Sequence, residues 1–145
     1  MTRATYDDAN LILRLYETRR DERMRTARAW FSANFKVKTF DELAALAPAG
    51  SDENAYYRMV ITYWDMVASF LNSGVLDKDL FYPGGREMLL VWERVKDVLP
   101  SIRERYQDPE YWAQLEQAGT AFAQQFIERS GPEAYAAFLK RIGKG

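Results

Sequence analysis

The chain is predicted to be all-α, a single-domain irregular helical bundle of about four long and two or three short helices. Three observations predict it. Aromatic and aliphatic residues recur every three to four positions through most of the 145 residues. No stretch sustains the period-two alternation of a strand, and no Asn-Gly or Asp-Gly pair supplies a hairpin turn. The four tryptophans, Trp30, Trp64, Trp92 and Trp112, fall one on each long predicted helix. A chain of this length reads as one domain, able to bury most of its apolar surface without disulfides or a metal.

The first helix is predicted over about 6–35, opened by Thr5 or Asp7 as N-cap. Leu13, Tyr16, Met24, Ala27 and Phe31 fall on one stripe, with Ile12 and Trp30 beside it. The stripe lapses across the charged run 17–23. A straight helix of about 30 residues would be about 45 Å long, against a width of about 38 Å for a globule of this size. The helix therefore either kinks near the charged run or projects beyond the body. Thr39-Phe40-Asp41-Glu42 has capping-box spacing and opens a short helix that ends before Pro48.

Ser51 caps the most hydrophobic element, predicted over 52–73, with Asp52 and Glu53 placed to complement the dipole of its first turn. Arg58, Thr62, Asp65, Ser69 and Asn72 form one narrow polar stripe on this otherwise apolar cylinder, and Gly74 ends it. Asp77 caps a one-turn helix through Phe81, and Tyr82-Pro83-Gly84-Gly85 is a turn. The next helix, 85–106, carries Met88, Leu89, Val91, Trp92, Val95 and Leu99, with Pro100 expected to kink or restart it. Asp108-Pro109-Glu110 predicts the start of a helix over 109–129. Ser130-Gly131-Pro132 separates it from a short helix over 132–142, and 143–145 reads as a frayed tail.

Histidine and cysteine are both absent from the chain. The commonest metal ligands, the neutral-pH acid–base group and the thiol nucleophile are thereby missing. Ser-His-Asp chemistry and the Glu-x-x-His di-iron bundle are excluded outright. The net charge of −1 exerts no global pull on nucleic acid or anionic membrane. It is unevenly spread: residues 1–38 hold nine Arg/Lys against five Asp/Glu, and residues 39–99 hold five against ten. The first residues lack the apolar core of a signal peptide, and the most apolar stretch, 59–71, is too short to span a bilayer. A cytoplasmic protein is expected.

Few residues stand out as chemical candidates. Asp65 is a carboxylate on a strongly apolar helix, and with Arg58 and Tyr63 it defines a candidate ligand site in a partly polar cavity. The competing reading pairs Asp65 with an arginine of the first helix or leaves it on the solvent-facing stripe. Gly84, Gly85 and Arg86 precede a helix and form a candidate anion site through free backbone N–H groups and a guanidinium. They match neither the Walker nor the dinucleotide glycine pattern, and a turn with a cap is the favoured reading. Arg14, Arg19, Arg20, Arg23, Arg25 and Arg28 crowd the first helix, but they point around the cylinder and lie within reach of Glu17, Asp21 and Glu22. The nine tyrosines read as core residues with their hydroxyls at its rim. No metal, cofactor or catalytic residue is expected.

The run from Tyr63 to Asp77, followed by Leu80-Phe81 and then by Glu87 to Glu93, resembles a group of small bacterial proteins classed only as a domain of unknown function. The likeness extends to Leu13–Glu17, Ala29–Phe31 and Ile102–Arg105, and spans residues 11–115. It implies an all-helical soluble fold without an assigned activity and carries over no site residues. The segment after residue 120 lies outside it, which leaves the last helix open to being a local addition.

The function expected from the sequence is a non-enzymatic helical interaction module, self-associating as a homodimer or holding another protein. A two-fold pair would bury the overhanging ends, Leu11–Tyr16 and Trp30–Phe35, against the acidic central region. The alternative is a small-molecule or anion-binding bundle using Asp65, Arg58 and nearby tyrosines. Nucleic-acid binding through the arginine-rich first helix comes third, and no membrane association is expected.

Overall fold

The computed structural model describes residues 3–144. Among them are eight α-helices and no strand: α1 (Tyr6–Arg19), α2 (Glu22–Asn34), α3 (Phe40–Leu46), α4 (Asp52–Asn72), α5 (Lys78–Phe81), α6 (Glu87–Tyr106), α7 (Ala113–Ser130) and α8 (Pro132–Arg141). A 3₁₀ turn, Tyr82–Gly84, joins α5 to α6. None of these helices is long and apolar enough to cross a membrane.

Local chemistry sets most of the boundaries. Thr5 and Thr39 each close a capping box, with Asp8 and Glu42 as the reciprocal acceptors. Ser51 and Asp77 cap α4 and α5 by accepting from Asn54 N–H at 3.1 Å and Leu80 N–H at 2.9 Å. α6 runs unbroken through Pro100, which sits on an exposed face, so the carbonyl left without its helical donor has solvent at hand.

Three further expectations are corrected. The predicted first helix over 6–35 is two helices, broken at Arg20–Asp21. Asp21 acts as a fresh N-cap, accepting from Met24 N–H at 3.2 Å, and the chain turns there instead of overhanging the body. The predicted helix over 109–129 starts later, at Ala113. Gln107 enters the left-handed region at φ 53° to end α6, and Trp112 follows at φ 54°. Asp108 spends its side chain on a local turn, accepting from Glu110 N–H at 3.1 Å, and so does not cap a helix. Arg103 holds this loop by donating to Tyr111 O at 3.0 and 2.9 Å and to Glu116 at 2.9 Å. The tail is likewise not loose throughout: Lys144 is ion-paired with Glu93 and Asp97, each at 3.2 Å, while Gly145 lies outside the described residues.

α4 is the axis of the bundle. It packs chiefly on α2 on one side and α7 on the other, with α6 also against it. α8 and α6 lie on α7, α3 lies on α6, and α1 rests on α2 and α5. Trp64, Ile61, Phe31, Phe35, Met88, Leu89, Leu115 and Phe122 are fully buried. Phe31 stacks on Phe35, one turn along α2, at 4.5 Å between centroids, and Tyr82 stacks on Phe122 of α7 at 4.0 Å, joining separate segments.

α7 comes close to α6 at Gly119. A Cβ there would lie 2.5 Å from Trp92 Cγ, at the rigid root of the indole. Gly→Ala within a helix ordinarily gains about 1 kcal/mol. Gly119→Ala is expected instead to lose about 1–3 kcal/mol through overpacking. Urea unfolding measures it, and a stabilised variant would contradict this packing.

Candidate functional site

The residues singled out in α4 do not come together. Tyr63 and Asp65, two positions apart on a helix, face opposite ways. Tyr63 is buried against α1 and donates its hydroxyl to Leu15 O at 2.7 Å. Burial pushes that phenol up to about 12, with Arg19 pulling the other way. Asp65 turns to α7 and accepts from Leu115 N–H at 2.9 Å, in the first turn of a helix whose own N-cap residue, Trp112, offers no side-chain acceptor. It is a cap lent by a neighbouring helix. Burial raises its carboxyl above the ordinary range, and the Leu115 N–H offsets part of that rise. Arg58 is exposed. The partly polar cavity of Arg58, Tyr63 and Asp65 is therefore not assembled in this fold.

The Gly84-Gly85-Arg86 segment divides in the same manner. Gly85 packs against Phe81, where a Cβ would sit 2.3 Å from the ring, and its N–H is used on Tyr82 O at 3.2 Å. Gly84 is exposed and touches nothing a Cβ would meet. The glycines form a turn and no phosphate cradle. Arg86 alone faces a cleft, with its guanidinium 4.4 Å from the centroid of the Phe126 ring.

The charged groups that the fold does bury lie mainly on α6, and the sequence reading missed them. Glu87 accepts a bidentate pair from Arg28, Nε at 2.9 Å and Nη2 at 2.6 Å, together with the indole N–H of Trp64 at 3.2 Å. Arg28 also donates to Arg19 O at 3.1 Å, which closes the end of α1. Arg94, 6% exposed, donates to Ser32 O at 3.1 Å and Phe35 O at 3.0 Å at the end of α2, and to Ile142 O at 2.5 Å past the end of α8. Glu93, 2% exposed, accepts from the Tyr135 hydroxyl at 2.6 Å and is ion-paired with Lys96 at 2.9 Å and Lys144 at 3.2 Å. Burial would push the Glu93 carboxyl up; Tyr135, Lys96 and Lys144 together hold it below the ordinary range. In return, burial and then Glu93 push the Tyr135 phenol far up. This carboxylate–phenol pair resembles an acid–base couple in composition, but both members are buried and both are committed to holding α8 and the tail.

The arginines of the first two helices are similarly dispersed. Arg28 turns inward, Arg19 lies over Trp64 at 5.2 Å, Arg20 over Tyr16 at 5.6 Å, and Arg23 over Tyr56 at 5.4 Å. They sit on two helices and form no continuous basic stripe. Among the described residues, no three carboxylates converge as a metal site would require.

Two surfaces remain unspent. One is the cleft at Arg86, about 370 Å³, between the 3₁₀ turn and the C-terminal half of α7. The other is the outward face of α1, where Tyr6, Leu13 and Tyr16 are 81%, 60% and 49% exposed.

The Glu93 cluster predicts a pH dependence. A carboxyl held low in the folded state stabilises it above the unfolded value of about 4.3, and that contribution is lost as pH falls through the folded value. Glu93→Gln is expected to lose about 1–3 kcal/mol at neutral pH and to show a shallower loss of stability below about pH 4.3 than the wild type. Urea midpoints across the acid range measure it; parallel curves for the two proteins would contradict the assignment.

No curated protein and no solved structure matches the chain. One family model matches residues 4–120, from the cap of α1 to the middle of α7. That is well over half of the chain, which therefore belongs to the family described as Domain of unknown function (DUF4760).

Proposed function

We propose that this protein is a helical interaction module that carries out no chemistry of its own and pairs with a second copy of itself through α1. The observation that carries the reading is the outward face of α1. This helix commits Asp8 and Leu15 to the buried set. Tyr6 and Leu13, two helical turns apart, lie on one line facing solvent, with Tyr16 beside it. The Trp30–Phe35 end is spent in the fold itself: Phe31 and Phe35 are core, and Trp30 packs against Tyr56 at 6.1 Å. What is left for a partner is the Leu11–Tyr16 end.

A second copy fits this face by charge. Exposed Asp7 lies at the N-terminal end of α1, and exposed Arg14 and Arg20 lie toward its C-terminal end. An antiparallel, isologous pair places Asp7 of one copy near the arginines of the other and opposes the two helix dipoles. The buried polar groups point the same way, because Asp65, Glu87, Glu93 and Arg94 are all engaged with groups of the fold.

Size-exclusion chromatography with light scattering is expected to give about twice the 16.9 kDa chain mass at high protein concentration. Leu13→Glu is expected to give the single-chain mass with an unchanged helical spectrum. A wild-type protein that stays at the single-chain mass would contradict self-association.

A further inference from the structure

The cleft between the 3₁₀ turn and α7 has a composition unlike the rest of the surface. Its volume of about 370 Å³ falls within the usual range of small-ligand sites, about 300–1,000 Å³. Two arginines line it, Arg86 from the start of α6 and Arg129 from the last turn of α7, and no carboxylate does. Elsewhere the inward-facing arginines are committed: Arg28 meets Glu87, Arg103 meets Glu116, and Arg94 donates to backbone carbonyls. Among the described residues, Arg86 and Arg129 have no ion pair. Gln125 and Ser130 add neutral hydrogen-bonding groups to the same lining.

The remaining wall is aromatic. Tyr82 and Phe122 stack at 4.0 Å with an interplanar angle of 16°, and Phe126 stands beside them with Arg86 over its ring. A guanidinium laid on a ring face is held in place while its in-plane N–H donors stay available. Two such donors matched to one carboxylate or phosphate give bidentate, charge-assisted hydrogen bonds.

We propose that this cleft binds a small organic anion, with Arg86 and Arg129 clamping the anionic group beside the buried Tyr82, Phe122 and Phe126 rings. The α7 side of the site, Phe122 to Ser130, lies beyond the residues matched by the family model. The site is independent of α1 and of self-association.

Phenyl phosphate serves as the probe in isothermal titration calorimetry, with inorganic phosphate and benzyl alcohol as its two separated halves. Phenyl phosphate is expected to bind saturably at one site per chain. Inorganic phosphate should also bind there, and benzyl alcohol, which carries no charge, should give no saturable heat. Arg86→Ala and Arg129→Ala are each expected to weaken phenyl phosphate about tenfold or more, since each removes a charge-assisted contact. Arg25→Ala, an exposed arginine of α2, and Leu13→Glu should both bind as the wild type does. Circular dichroism verifies that each variant is folded. Absence of saturable phenyl phosphate binding, undiminished binding in the Arg86→Ala/Arg129→Ala double variant, or saturable binding of benzyl alcohol would each overturn the proposal.

Discussion

The fold depends on α6 carrying three inward-facing charges whose partners are the ends of other helices. Glu87 takes Arg28, and Arg28 in turn closes the last carbonyl of α1. Arg94 gathers carbonyls from the end of α2 and from beyond α8. Glu93 takes the Tyr135 hydroxyl of α8 and the Lys144 ammonium of the tail. A helix end leaves about four carbonyls without helical donors, and a buried end needs donors from elsewhere. In a bundle of eight helices joined by short turns, that requirement recurs at many places. Hydrophobic burial brings the helices together, and the α6 charges decide where the ends of α1, α2 and α8 come to rest.

This division of labour bears on function. A bundle that uses its buried acids and bases as clamps has few left to act on a substrate. Asp65, on the axial helix, stands in for a missing N-cap on α7, and Tyr63 is tied to a carbonyl of α1. Exposed groups without a partner in the fold include those on α1 and around Arg86 and Arg129. The recognition proposed above would use those faces, apolar in one case and cationic in the other.

The helical architecture was legible because the apolar period and the caps agree: Thr5, Thr39, Ser51 and Asp77 all cap as their positions foretell. A kink near the charged run was one of two outcomes read from sequence, but its place at Asp21 was not, because a capping aspartate inside a charged run looks like part of a solvated helix face. The late start of α7 was hidden for a related reason. Asp108 has two local uses, and the packing of Tyr111 on Tyr106 and Trp112, with Arg103 beneath, selects the turn. Asp65 drew notice as a charge among apolar residues, yet its partner is a backbone amide fifty residues away. Periodicity carries no information about such a pair. Glu93-Arg94 had a signal available: two adjacent charges between Trp92 and Val95, at positions the apolar stripe of α6 carries inward. Arg129 had none, since its relation to Arg86 arises only when α7 crosses α6.

Arg94→Met tests the clamping role most directly, because methionine fills similar space without donating. Urea unfolding with amide hydrogen exchange is the measurement. The account predicts a loss of about 2–3 kcal/mol for the orphaned carbonyls and faster exchange concentrated in α8 and the C-terminal turn of α2. A variant as stable as the wild type, with unaltered exchange in those two segments, would contradict it.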